Sequence, residues 1–175
     1  MKKEEESELF PPHIKMYQKL GEYVYVSDLH QGIERVENIR LATFLAEKTK
    51  ETVFILPIIQ PSMKNSKALR EKYFPIGVKE NKNPDFYFRG RFVDGKSMTN
   101  IKFTDDEEIF KRKIQSRIKD AFTQADDVFI EIPTKFDKKQ ILSSIKGKLN
   151  SSEHKHTVYV MYGNDLLVVK TKKPD

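Results

Sequence analysis

The chain has 175 residues, 38% apolar and 33% charged, and its 32 Lys and Arg against 26 Asp and Glu give a formal net charge of +6. That length suffices for one domain with its own core, and the charge favours an anionic partner such as nucleic acid or a membrane surface. There is no cysteine, which excludes disulfide staples and thiolate metal sites. No apolar run approaches the length of a transmembrane helix and no signal-peptide pattern follows Met1, so a cytoplasmic protein with no membrane partner is expected.

Residues 1–20, which include "MKKEEESELFPPH", read as a charged tail, and 21–175 as a single domain. Tyr23–Val26 is a short apolar strand between Gly21 and Ser27-Asp28. From Ile33 to about Lys50 the spacing of Val36, Ile39, Ala42, Leu45 and Ala46 predicts a helix. "TVFILPII" is a near-continuous apolar run that reads as a buried strand. Residues 60–82 form a basic excursion with little periodicity. "KNPDFYFRGRFVDGKS" follows as two apolar-aromatic runs joined at Arg89-Gly90, a hairpin whose paired residue numbers would add up to about 179. "TDDEEIFKRKIQSRIKDAFTQA" is the clearest helix, with Thr104 as N-cap, Glu107 completing a capping box, and a buried stripe of Phe110, Ile114, Ile118, Ala121 and Ala125. "DVFIEIP" is a strand ended by Pro133. "KKQILSSIKGKL" is a short helix stopping near Gly147, and "HTVYVMYGNDLLVVKTK" gives two strands around a Gly-Asn-Asp turn. The order predicts an α/β (α+β) fold with a single mixed central sheet flanked by helices.

Each run of the hairpin carries an aspartate at its outer end, Asp85 and Asp94, and Lys96 follows the second. Turn chemistry alone explains Asn83-Pro84-Asp85 and Asp94-Gly95. Three observations argue for more. Alternation puts Asp94 and Lys96 on one face of their strand. The hairpin register sets Asp85 opposite Asp94. Glu37 shares a helical face with Leu41 and Phe44, turned partly toward the packing side. Carboxylates and a lysine converging on one sheet edge suit metal-dependent phosphodiester hydrolysis. Carboxylate oxygens bind Mg²⁺ or Mn²⁺ and leave coordination places for water and phosphate. A lysine beside the ion orients the attacking water and stabilises developing charge.

These residues resemble the PD-(D/E)XK nuclease superfamily, with Pro84-Asp85 as the PD and Asp94-Gly95-Lys96 as the (D/E)XK. "VENIRLATFLAEKTKETVFILP" is similar to the opening helix and strand of the branch that includes nuclease toxin domains of contact-dependent growth inhibition and related phage or mobile-element proteins. "TQADDVFIEIP" resembles the end of that family's second core helix and its fourth strand. The resemblance covers about residues 33–133. It departs from the family in having aspartate where glutamate is commoner before Gly95-Lys96, and a long stretch between Pro57 and Asp85 that reads as an insertion. It implies a restriction-endonuclease-like core and a metal-dependent endonuclease acting on RNA or DNA, with a tilt toward tRNA. It implies Mg²⁺ (or Mn²⁺) held by Asp85, Asp94, the Gly95 carbonyl and Glu37 as the helix acid, and catalysis by Asp85, Asp94, Glu37 and Lys96. Glu34 and Glu47 compete with Glu37 for the helix role. A toxin would also take an inhibitor protein as partner.

Lys111, Lys113 and Arg117 of the clearest helix, with Arg70 of the basic excursion, are candidates to track a phosphate backbone, against the plainer reading of solvated helix face and surface loop. His154 and His156 offer acid–base chemistry for a metal-independent RNase, or are ordinary loop histidines. A third reading is a non-catalytic nucleic-acid-binding or phage accessory protein in which both aspartates are turn residues.

Overall fold

The computed structural model describes residues 14–74, 78, 81–99 and 106–172. Its fold is α/β, as the sequence predicts, with eight strands among the described residues ordered β1 to β8 in one mixed sheet. The chain divides into two compact units, Met1–Val93 and Asp94–Asp175.

In the first unit a 3-10 turn, Ile14–Met16, leads into β1 (Tyr17–Lys19), antiparallel to β2 (Val24–Ser27). This corrects the expected tail through residue 20: Tyr17 is buried, with its ring edge-on to Phe54 at 5.4 Å. Helix α1 (Glu34–Thr49) carries the chain from β2 to the parallel strand β3 (Val53–Ile55), the long crossover a parallel pair requires. Its buried face is Asn38, Leu41, Ala42, Leu45 and Ala46. The stripe is therefore rotated from the predicted one, and Val36 is 77% exposed. The two alanines let the helix lie close on β2 and β3.

Strand β3 is shorter than the apolar run predicts, because Pro57 has no N–H to give to a ladder. Leu56 N–H still donates to the Asp85 carbonyl at 2.9 Å, one step on in the β3 register with residues 85–88, and beyond Pro57 the Ile58 N–H turns to the carbonyl of Leu29 at 3.2 Å. The basic excursion contains a helix, α2 (Ser66–Tyr73), where none was predicted. Its residues are good helix formers, but two turns are too short for a periodic signal. Strands β4 (Phe86–Phe88) and β5 (Arg91–Ser97) form the predicted hairpin, pairing Phe86 with Val93, Tyr87 with Phe92 and Phe88 with Arg91. Arg89 and Gly90 have φ of 52° and 74°, the positive pair that a two-residue turn of this hand needs. Tyr17, Phe54, Leu56, Ile59, Tyr73 and Phe74 form one apolar cluster of the unit.

The second unit holds the end of β5, then α3 (Glu107–Phe122), β6 (Asp127–Ile132), α4 (Lys138–Asn150), β7 (Thr157–Tyr162) and β8 (Asp165–Lys170). Thr104, the predicted cap of α3, lies outside the described residues. Asp106 caps the helix, its carboxylate accepting from Glu108 N–H at 2.9 Å and Ile109 N–H at 3.2 Å. Phe110, Ile114, Ile118 and Ala121 are its buried face. Ala125, expected to extend it, follows the helix end. Helix α4 passes through Gly147, where a stop was expected, to Asn150. Burial of Ile141, Ile145 and Leu149 outweighs the cost of about 1 kcal/mol for an interior glycine. The helix joins the parallel pair β6 and β7, and β8 returns antiparallel along β7. At that turn Gly163 has φ of +60°, and a Cβ there would come within 3.0 Å of Thr134 Cγ2. The core of the unit gathers the α3 and α4 faces on Val128, Ile130, Val158 and Val160, with Phe110 stacked on Phe136.

Candidate active site

The second unit supplies Asp94 and Lys96. Two-residue alternation along β5 places both on one side, and Lys96 Nζ lies 2.7 Å from Asp94 Oδ2. Asp94 is 2% exposed. An isolated carboxylate at such depth costs several kcal/mol, at the order-of-magnitude level, and the adjacent ammonium offsets part of that cost. Ser97, of the opposite parity, donates its hydroxyl to Glu131 Oε2 at 3.0 Å, and Met98 N–H donates to the Glu131 carbonyl at 2.9 Å. Glu131 was not singled out from the sequence. Its legible signal is a single inner acid in the otherwise apolar run "VFIEI".

In the first unit, taken by itself, Asp85 is the residue before β4. Its Oδ1 accepts from Asn38 Nδ2 at 3.1 Å. Asn38 Nδ2 also lies 3.3 Å from His30 Nε2, and His30 Nδ1 lies 2.6 Å from the Leu56 carbonyl. His30 is fully buried, and that burial pushes its imidazole below the ordinary histidine pKa, against a smaller opposing pull from the Leu56 carbonyl. Neither His30 nor Asn38 was singled out from the sequence. The signal at Asn38 is a polar residue sharing a helical face with Leu41, Ala42 and Leu45.

Glu37 points elsewhere. Its carboxylate pairs with Arg40 at 2.9 Å, the two side chains being 41% and 43% exposed. Glu34 and Glu47 are exposed. Among the described residues no group of three or more His, Cys, Asp or Glu comes together in a metal-holding arrangement. Within the first unit Glu37 is thus turned to Arg40, and the α1 side chain that reaches Asp85 is the Asn38 amide.

The approach to Asp85 is braced by Arg70. Its guanidinium donates to the Lys82 carbonyl at 2.6 Å and to Asn83 Oδ1 at 3.2 Å, and sits 5.3 Å from the centre of the Phe74 ring. Asn83 Oδ1 in turn accepts from Ile59 N–H at 3.1 Å. The residue expected on a phosphate backbone thus ties down the loop entering β4. Lys111 pairs with Glu108 at 2.9 Å within α3, while Lys113 and Arg117 share a face at i, i+4, with Arg117 exposed. His156 is held by its Nδ1 on the Asp126 carbonyl and stacks on Phe122 at 3.8 Å. His154 is exposed, its ring 6.2 Å from that of His156.

No protein-family model matches the chain, and no curated protein or solved structure matches it either. Among the described residues no helix is long and apolar enough to cross a membrane.

Proposed function

We propose that the chain is a metal-dependent nuclease, toxin-like in character, that hydrolyses phosphodiester bonds in nucleic acid, with tRNA as its first candidate substrate. The observation that carries this reading is the buried Asp94 carboxylate with the Lys96 ammonium 2.7 Å away on the same strand. Turn chemistry requires neither the burial nor the pairing.

The proposed donors are Asp94 and the Gly95 carbonyl in the second unit and Asp85 in the first, the positions that the resemblance to the PD-(D/E)XK superfamily implies. This all-oxygen set fits Mg²⁺ or Mn²⁺, for Mg²⁺ in particular takes one or two carboxylates and keeps several waters. When bound, the ion polarises the phosphate and lowers the pKa of the attacking water. Glu37 is left out of the set because Arg40 holds its carboxylate. Asp94, with the Lys96 ammonium beside it, offers carboxylate oxygens to a cation. Lys96 offers the mobile positive charge that orients the water and meets charge developing on the phosphate oxygens. Lys113 and Arg117 offer a basic face for a phosphate backbone, in keeping with the net charge of +6.

The test is cleavage of labelled tRNA and duplex DNA in Mg²⁺, Mn²⁺ or EDTA by the parent, Asp94→Asn and Lys96→Ala. Cleavage that needs metal and is lost in both variants is the expected result. Cleavage that survives EDTA and both changes moves the chemistry to His154 and His156. Cleavage of neither substrate favours a non-catalytic binding protein.

A further inference from the structure

A ring of hydrogen bonds running from the buried His30 and Asn38 to the half-buried Asp85 is left over once the turn and the proposed ligands are accounted for. The Leu56 carbonyl has only lone pairs to offer, so His30 Nδ1, 2.6 Å away, carries the ring proton. The neutral ring then presents a bare lone pair at Nε2. Opposite it stands Asn38 Nδ2, which has only hydrogens to offer. The two amide hydrogens therefore go to His30 Nε2 at 3.3 Å and to Asp85 Oδ1 at 3.1 Å. Turning the amide over would set its oxygen against two acceptors. The ring closes through the backbone, because Leu56 N–H donates to the carbonyl of Asp85 itself at 2.9 Å. His30 and Asn38 are 0% and 5% exposed, so water does not substitute easily for either. A fifth tie, from Arg35 Nη1 to the His30 carbonyl at 2.6 Å, fixes the backbone of the histidine.

We infer that Asn38 and His30 are positioning residues that hold the Asp85 carboxylate in one orientation for a divalent cation. The inference rests on the metal-dependent reading of Asp85 given above. The order of command runs from the Leu56 backbone to the His30 tautomer, from that tautomer to the Asn38 amide, and from the amide to Asp85. A role confined to the turn needs only the backbone bond of Asp85 and the Asn83 bond to Ile59 N–H. The side-chain ring adds control of where Oδ1 points. Outer partners of this kind carry about 10–100-fold in metal affinity.

The experiment is calorimetric titration of the full chain with Mn²⁺, without substrate, alongside circular dichroism as a check of folding. The parent is compared with Asp85→Asn, Asn38→Leu, His30→Leu and His30→Gln. The expected result is binding by the parent, loss in Asp85→Asn, and a weakening of about 10–100-fold in Asn38→Leu and His30→Leu. His30→Gln should stay within about threefold of the parent, since its amide can donate to Leu56 and accept from Asn38. Packing alone would give no such rescue. Equal affinities in the parent and Asn38→Leu overturn this inference and leave the metal reading standing. A parent that binds no Mn²⁺ overturns the metal reading and the inference with it. Where Asn38→Leu does not fold, the two His30 variants decide, and equal affinities between them overturn the inference.

Discussion

Lys96 holds its ammonium 2.7 Å from the Asp94 carboxylate, with the lysine side chain 20% exposed and that of the aspartate 3% exposed. The pair is thus asymmetric: the acid is locked in, and the base reaches outward. Lys96→Met should cost about 3–5 kcal/mol, because it takes the ammonium at 2.7 Å away from a buried charge. Adding Asp94→Asn should restore most of that stability, since the second change removes the buried charge. Urea denaturation of the two single variants and the double variant checks this. Cleavage should stay absent in all three, which separates the structural work of the pair from its chemical work.

Arg70→Leu should lower stability by about 2 kcal/mol, the scale of lost hydrogen bonds from a charged donor. Its bonds to Lys82 and Asn83 hold the loop that delivers Asp85, so cleavage should fall as well. Arg70→Lys should not rescue, because one ammonium cannot replace a fork that reaches Lys82, Asn83 and Ile59 and lies on Phe74. A phosphate contact would instead leave the urea midpoint unchanged and reduce the salt dependence of nucleic-acid binding.

Asp106→Ala should cost about 1 kcal/mol through loss of the α3 cap, and Asp106→Ser should recover most of it. Thermal denaturation of the two variants reads the difference.

Acid should destabilise the chain through His30. Burial, with a smaller contribution from Arg35, lowers its folded pKa below the ordinary 6.5, while the Leu56 carbonyl and Glu34 pull the other way. Between 6.5 and the folded value the unfolded chain binds a proton that the folded ring lacks. The contribution of His30 is therefore full above 6.5 and is lost as pH falls through that window to the folded pKa. Protonation would also set an Nε2–H against the Asn38 amide hydrogens. Melting temperatures measured from neutral to mildly acidic pH should fall in the parent and fall less in His30→Gln.

The hairpin was legible because Gly90 marks a two-residue turn and alternation fixes the rest. The α3 face was legible because Phe110, Ile114, Ile118 and Ala121 keep helical spacing over about three turns. Strand β1 was not, since Tyr17-Gln18-Lys19 looks like the charged stretch around it until Phe54 is brought to Tyr17. Helix α2 was hidden by its brevity. The pairing of Asp94 with Lys96 is local and could be read from alternation. The ring around Asp85 could not, because Asn38 and Asp85 are 47 residues apart, and only folding tells that helix α1 offers Asp85 an amide. A search for acids alone looks past Asn38 to its neighbour Glu37.

Arg70 and Asn83 make the stretch between Pro57 and Asp85 a single heritable unit. Loss of the guanidinium in a descendant leaves the asparagine without its clasp, and loss of the asparagine removes one anchor from the arginine, so the two positions should change together across generations. Insertions and deletions between them are constrained in the same way, for the clasp closes a span of 13 residues and tolerates new length only where the loop can bulge outward without moving either end. What reads in the sequence as an ungoverned excursion would then drift more slowly than its composition suggests.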